Sequence, residues 1–415
     1  MGVGFYLYLI LNVFIFIWYY KKEFGVFQGP FLIAYTSIFV LLPQLMTIYL
    51  VDYYQTDSFD IFIYTILGCN IAFVIGFELS KRKFIPKHKT LIRFSKIKYL
   101  VYVFALIGIY SMFTWNDTYQ GSDNVIQANL RSFASYGLCL ISPFLIREKC
   151  SSKQVVLAIM CIMPIAYFAF FVKGSRGALL SLILIISFIL SLRYPLRGKK
   201  IKRLVVALLL FGAVASASIS LIRHILVGDA ATGEKASVTE LSLIDSYKKS
   251  FAATDISVGL DLGNAAIGID YLWKSAKMDW GISYIWDDFI QNYVPRRVVG
   301  ESFKESLKVR AVNDKRMVEH LTHGITTMTG YYYAFRSFNI LAPLLFLFLG
   351  YLIGYLWVRI GVSMACMFVY FVVFTQIPLL LTHGPGYIYS GLEFILLLVF
   401  PFLHRGVYKA RIYKS

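Results

Sequence analysis

The sequence predicts an all-α polytopic membrane protein with about eleven transmembrane helices and one large external loop before the last three. Three observations carry this. Hydrophobic residues make up 58% of the 415 and charged ones only 15%, whereas soluble domains run about 45–50% and roughly 25%. Apolar runs long enough to cross a bilayer recur along the chain. The short alternating segments of a transmembrane barrel are not visible.

The runs fall at approximately 2–20, 30–50, 61–79, 99–115, 132–146, 154–172, 177–192, 204–226, 339–358, 362–381 and 387–403. The first is too long for a signal peptide, lacks a basic leader and is followed by Lys21-Lys22, so it is expected to stay as a span. The connections alternate in charge. Segments 21–29, 80–98, 147–153, 193–203, 359–361 and 404–415 hold 24 of the 41 Lys and Arg residues. Of the opposite set, 51–60 has no basic residue and three acids, and 115–131 has Arg131 alone. Cations mark the cytoplasmic side, so the N-terminus is expected outside and the C-terminus inside. Four regions follow: helices one to eight in 1–226, the external segment 227–338, the last three helices in 339–403, and a basic tail, 404–415.

A net charge of +18 would point to nucleic acid in a soluble chain. Here it reads as topogenic charge plus attraction to anionic membrane lipid, and no nucleic-acid partner is expected. Cys69, Cys139, Cys150, Cys161 and Cys366 show no paired metal-ligand spacing, and four of them lie inside apolar runs. They read as packing residues. The acidic pair Asp57 and Asp60 reads as a polar loop, and no metal site or cofactor is expected.

"FFVKGSRGALLSLILI" (170–185) joins two apolar runs by a tight turn. The charge pattern places that turn outside, so Lys173 and Arg176 have no topogenic role. They either snorkel to headgroups or bind something. Gly174 and Gly177 suit a sharp corner that a bulky partner approaches.

Segment 227–338 is too long for a simple linker and nearly neutral, with 13 basic and 14 acidic residues. Within "ISYIWDDFIQNY" (282–293), Ile282, Ile285, Trp286, Phe289, Ile290 and Tyr293 recur at the spacing of an amphipathic helix. Pro295 ends it and Arg296-Arg297 follow. Downstream come His320, His323 and three tyrosines, 331–333, which serve as an aromatic belt or a sugar-stacking platform.

Arginine is the side chain best matched to phosphate oxyanions. Arg176, Arg223 and Arg296 are candidates to converge at the outer interface on a lipid diphosphate. Glycosyl transfer from such a donor needs the departing diphosphate stabilised and a base for the acceptor hydroxyl. His323 or His320 is the candidate base.

The turn "GSRGALL" (174–180), the long external segment, "VPRR" (294–297) and "TGYYYAFRSFNILAPLLFLFLGYLIG" (329–354) together resemble the O-antigen polymerases (Wzy type). The resemblance implies a glycosyltransferase C-like bundle in the bacterial inner membrane, working without metal. Its donor and acceptor would be undecaprenyl-diphosphate-linked oligosaccharides, joined on the periplasmic face into O-antigen or capsular polysaccharide. A flippase and a chain-length regulator would be its partners. Arg176 and Arg296, with His323, would be catalytic. Lys173, Arg223, Arg297, His320 and Tyr331 would bind substrate. The chain departs from the family pattern at Arg336, where a glycine is common after the aromatic. The Ser-Arg-Gly element is shared with O-antigen ligases, but His323 is followed by Gly324 instead of the ligases' asparagine. A ligase acting on lipid A core is the alternative. A lipid-linked oligosaccharide flippase or transporter fits less well, because no internal repeat is visible.

Overall fold

In the computed structural model, the described residues are 2–22, 24–49, 59–81, 90–91, 94–114, 125–146, 150–167, 182–189, 261–275, 296–306, 329–360, 363–383 and 408–409, with the single positions 203, 207, 290 and 294. They are almost wholly helical. The exception is one antiparallel pair of two-residue strands, Thr90–Leu91 and Tyr408–Lys409. Among them, five stretches are long and apolar enough to cross a membrane: Val3–Lys21, Gly29–Met46, Phe59–Ser80, Gly330–Arg359 and Ala365–Thr382. The expected spans 204–226 (save position 207) and 387–403 lie outside the described residues, as does the expected helix 282–293 save position 290. The chain divides into two compact units.

The first unit comprises 1–82, 248–354 and 377–389. Helix α1 (Val3–Lys21) buries Phe5, Tyr8, Asn12, Ile15 and Tyr19, a stripe at helical spacing. Its exposed face carries Tyr6, Ile10, Phe14, Ile17 and Trp18. An amide inside and large apolar groups outside reverse the pattern of a water-soluble helix and suit one that meets lipid.

Helix α2 (Gly29–Thr36) starts with Pro30 in its first turn, where a missing N–H costs nothing. A π turn, Ser37–Leu41, links it to α3 (Leu42–Ile48). Pro43 cannot donate to the carbonyl four residues back, so the ladder loosens one turn ahead of it.

Helix α4 (Phe59–Lys81) runs parallel to α1. Gly4 lies against Ile63, Asn12 bonds Asn70, and Tyr19 bonds Glu78, a near-constant offset that only parallel helices keep. The helix Ala342–Arg359 also runs parallel to α4. Pro343 meets Gly68, Gly350 touches the backbone of Phe73, and Gly354 meets Phe77 and Ser80. Gly76 likewise touches the backbone of Leu347. Gly68, Ala72 and Gly76 on one helix, with Gly350 and Gly354 on the other, are small residues four apart, the spacing that lets spanning helices approach closely.

The stretch 330–359 is not one rod. Tyr331 stacks on Phe346 with centroids 5.3 Å apart. Fifteen residues of straight helix would separate them by about 22 Å. The chain therefore folds back at the 3-10 turn Asn339–Leu341, and the short helix Gly330–Phe338 lies alongside the start of the next. The residues of this short helix are mostly buried in the first unit. So is the helix Asp261–Ser275, whose Leu262, Ala265, Ala266 and Ile269 are fully covered and whose Leu262 N–H donates to Gln44 Oε1 at 3.1 Å.

The second unit comprises 83–247, 355–376 and 390–415. Helices α5 (Phe94–Phe113), α6 (Val125–Leu145) and α7 (Ser152–Tyr167) pack antiparallel in sequence. Gly108 meets Ala134 and Pro164, and Gly137 meets Cys161 and Phe104. Phe188, in the helical stretch 182–189, sits among Trp357, Tyr370, Phe371 and Phe374, with the Phe371 ring 4.6 Å away. Cys139 and Cys161 are buried free thiols, and so is Cys69 of the first unit.

Candidate functional site

Asn70 is eleven residues from either end of α4, hence halfway across any bilayer that α4 spans. Its amide is the centre of a buried hydrogen-bond network in the first unit. Asn70 Nδ2 donates to Asn12 Oδ1 at 3.1 Å and to Ser37 Oγ at 3.2 Å. The Tyr331 phenol donates to Asn70 Oδ1 at 2.8 Å. Asn12 donates in turn to the Tyr8 carbonyl at 2.8 Å, and Tyr8 Oη to the Ser37 carbonyl at 3.2 Å. Each of these five side chains is at most 1% exposed. Away from water, an amide left without partners costs several kcal/mol on the order of its full desolvation, so the network fixes which helix faces meet. It is neutral and does no acid–base chemistry by itself.

Tyr331 thus lies in the interior instead of offering a ring to a sugar. Its position follows from the helix it opens. Thr329 caps that helix, accepting from the Tyr332 N–H at 3.4 Å, and Gly330 presses on the Leu380 backbone, where any side chain would clash.

Farther along the same helix is Arg336, only 8% exposed. The neighbouring Ser337 hydroxyl is buried and finds no hydrogen-bond partner among the described residues. Asn339 then takes φ 53° and ψ −133°, a combination that is unfavourable for any residue but glycine.

At the other end of α4, Lys22 Nζ meets Glu78 Oε1 at 2.8 Å, and the Tyr19 phenol donates to the same oxygen. The ammonium also sits 4.1 Å from the Tyr19 ring and 5.3 Å from that of Trp18. This cluster joins the matching ends of the two parallel helices.

Lys173, Arg176, Arg223, His320 and His323 lie outside the described residues. Arg296 opens the short helix Arg296–Val299, and Arg297 beside it is exposed. Among the described residues, no group of three or more His, Cys, Asp and Glu comes together as a metal site.

Asn12 and Asn70 are not marked by the sequence motifs, and Arg336 is marked only as a departure from the family pattern. The signal was present: each is a strongly polar group within an apolar or aromatic stretch, and such groups in spanning segments mark functional or helix-pairing positions.

The chain matches no family model, no curated protein and no solved structure.

Proposed function

We propose that this chain is an inner-membrane glycosyltransferase that polymerises undecaprenyl-diphosphate-linked oligosaccharide repeat units on the periplasmic face. The observation that carries the reading is the "GSRGALL" turn: two cations on the side that the charge pattern assigns to the outside, where they have no topogenic use. Supporting it are "VPRR" and the aromatic entry at 329–338, together with α1, α4 and Ala342–Arg359 running parallel. Parallel directions are what the first, third and ninth spans of the expected topology require.

In this reaction the acceptor hydroxyl oxygen bonds the anomeric carbon of the donor glycan. The bond from that carbon to the diphosphate breaks, and its electron pair leaves with the diphosphate. Arg176 and Arg296 hold the oxyanion as charge develops, with Lys173, Arg223 and Arg297 around it. His323 takes the hydroxyl proton, with His320 nearby in sequence. No step needs a cofactor. The N-terminus is periplasmic and the C-terminus cytoplasmic. A flippase supplies lipid-linked units and a chain-length regulator sets the product's length.

Disruption of the gene tests the reading. Lipopolysaccharide bearing single repeat units on the core is expected. A core with no repeat unit at all would indicate a ligase, and an undisturbed ladder would remove the chain from this step.

A further inference from the structure

We propose that the second unit carries a docking surface for anionic phospholipid headgroups, built where the basic segment 83–98 is joined to the basic tail 404–415. The proposal is independent of the glycosyl-transfer reading. Its first observation is how unevenly charge falls between the two units. The second holds 25 Lys and Arg against 8 Asp and Glu, the first 16 against 15. Almost the whole excess of +18 therefore sits in one unit. Topogenic charge does not explain this, since both units contain spanning stretches and a few cations per loop orient a span. Within the second unit, segments 83–98, 147–153, 193–203, 359–361 and 404–415 hold 20 of the 25 cations and a single acid, Glu148. All five are on the side that the charge pattern assigns to the cytoplasm.

The second observation is the strand pair. Thr90 pairs with Lys409 and Leu91 with Tyr408, antiparallel. A backbone ladder joins only segments on one face of a membrane, so the tail shares a face with 83–98. Segment 83–98 has six Lys and Arg, the tail has four, and neither has an Asp or Glu. Paired strands run about 5 Å apart, well inside the screening length of about 8 Å at physiological salt. The pairing therefore draws two sets of like charge together, and they repel unless an anionic surface lies against them.

Position identifies that surface as a bilayer. The strand at Thr90–Leu91 is three residues from the start of α5 at Phe94, at most about 11 Å of chain. In the second turn of α5, Lys98 Nζ sits 4.6 Å from the ring of Tyr99, which is 68% exposed. At the end of Ala342–Arg359, the Arg359 guanidinium lies 3.3 Å from the ring of Tyr355, also exposed. Tyrosines beside Lys and Arg at helix ends mark the headgroup level. The strand pair is thus tethered at that level, and the cytoplasmic leaflet is the one whose anionic lipids attract basic segments next to a span.

The test titrates the full-length protein in dodecyl maltoside with phosphatidylglycerol or phosphatidylcholine and counts bound lipids by native mass spectrometry. The wild type should prefer phosphatidylglycerol by about tenfold or more, and the preference should shrink as salt is raised. Replacing Arg405, Lys409, Arg411 and Lys414 together by Gln should remove most of it. The charge-keeping pair Arg405→Lys with Arg411→Lys should retain it, and so should a control that replaces Lys304, Lys308, Lys315 and Arg316 of the first unit by Gln. Equal binding of the two lipids by the wild type, or an unchanged preference in the tail variant, overturns the proposal. An equal loss in the first-unit control would make the effect one of net charge alone and overturn the surface. Loss in the charge-keeping pair would make the tail a structural piece and overturn it too. Displacement of phosphatidylglycerol by equimolar polyglutamate would assign the surface to an acidic protein partner instead of a membrane.

Discussion

The two units solve helix packing differently. In the first, polar side chains bond between helices far apart in sequence: Asn12, Ser37, Asn70 and Tyr331 meet at one level of the bundle. Among the described residues of the second, Ser111, Ser142 and Thr375 turn back on their own helices. Ser111 donates to the Gly108 carbonyl at 2.6 Å, Ser142 to that of Cys139 at 2.7 Å, and Thr375 to that of Val372 at 2.8 Å. Neighbouring helices there meet through Gly108, Gly137, alanine, cysteine and aromatic rings. A bond returned to the same helix says nothing about its neighbour. A bond across helices fixes rotation and register together. The first unit is therefore specified by polar pairing as well as by shape, and it is the unit that holds the buried Arg336.

Breaking the steric part of that contrast should have the largest effect. Gly76→Leu or Gly350→Leu drives a side chain into helix backbone that cannot yield. Either should cost more than about 3 kcal/mol, read as loss of the monodisperse peak in detergent gel filtration.

Next comes the polar centre. Asn70→Leu strands Asn12, Ser37 and Tyr331, and should destabilise by about 1–3 kcal/mol. A double-mutant cycle of Asn70→Leu with Tyr331→Phe should show coupling of about 0.6–1.7 kcal/mol, measured by thermal or chemical unfolding. Additive effects would mean that the bond does not tie the two helices.

Smaller again is the charged end. Glu78→Gln removes the ion pair with a Lys22 that is 29% exposed. It should cost about 0.2–1 kcal/mol, an effect that shrinks as salt is raised. Smallest of all, Ser142→Ala in the second unit should change stability by less than about 0.5 kcal/mol, because its bond is local. If Ser142→Ala matched Asn70→Leu, the contrast between the units would be empty.

The helical class and the positions of most described helices were legible, because apolar runs and their charged borders report span length and helix ends directly. The α1 and α4 stripes could also be read, since a buried face repeats every three or four residues. What the pattern could not carry was the fold-back at Asn339. Residues 330–359 are apolar enough on average to read as one spanning stretch, interrupted by Arg336, Ser337 and Asn339, and a polar interruption alone does not reveal a hairpin. Its only trace is the strained asparagine and the proline at 343. Nor could the pattern carry the surroundings of Tyr331: a tyrosine at an apparent membrane entry has the same one-dimensional signature whether it faces headgroups or, as here, an amide in the interior. The guanidinium set at Arg176, Arg223 and Arg296 came from charge placement and resemblance, which select residue types on one side of the membrane but carry no distances. For Arg336 the structure adds burial, which a one-dimensional pattern does not contain.

The most direct test of the account is synthesis by the purified protein in proteoliposomes supplied with undecaprenyl-diphosphate-linked repeat units in the presence of EDTA. The wild type should yield a ladder of products and Arg176→Ala, at equal protein level, only the single unit. A full ladder from Arg176→Ala would contradict the claim that external guanidinium groups hold the departing diphosphate.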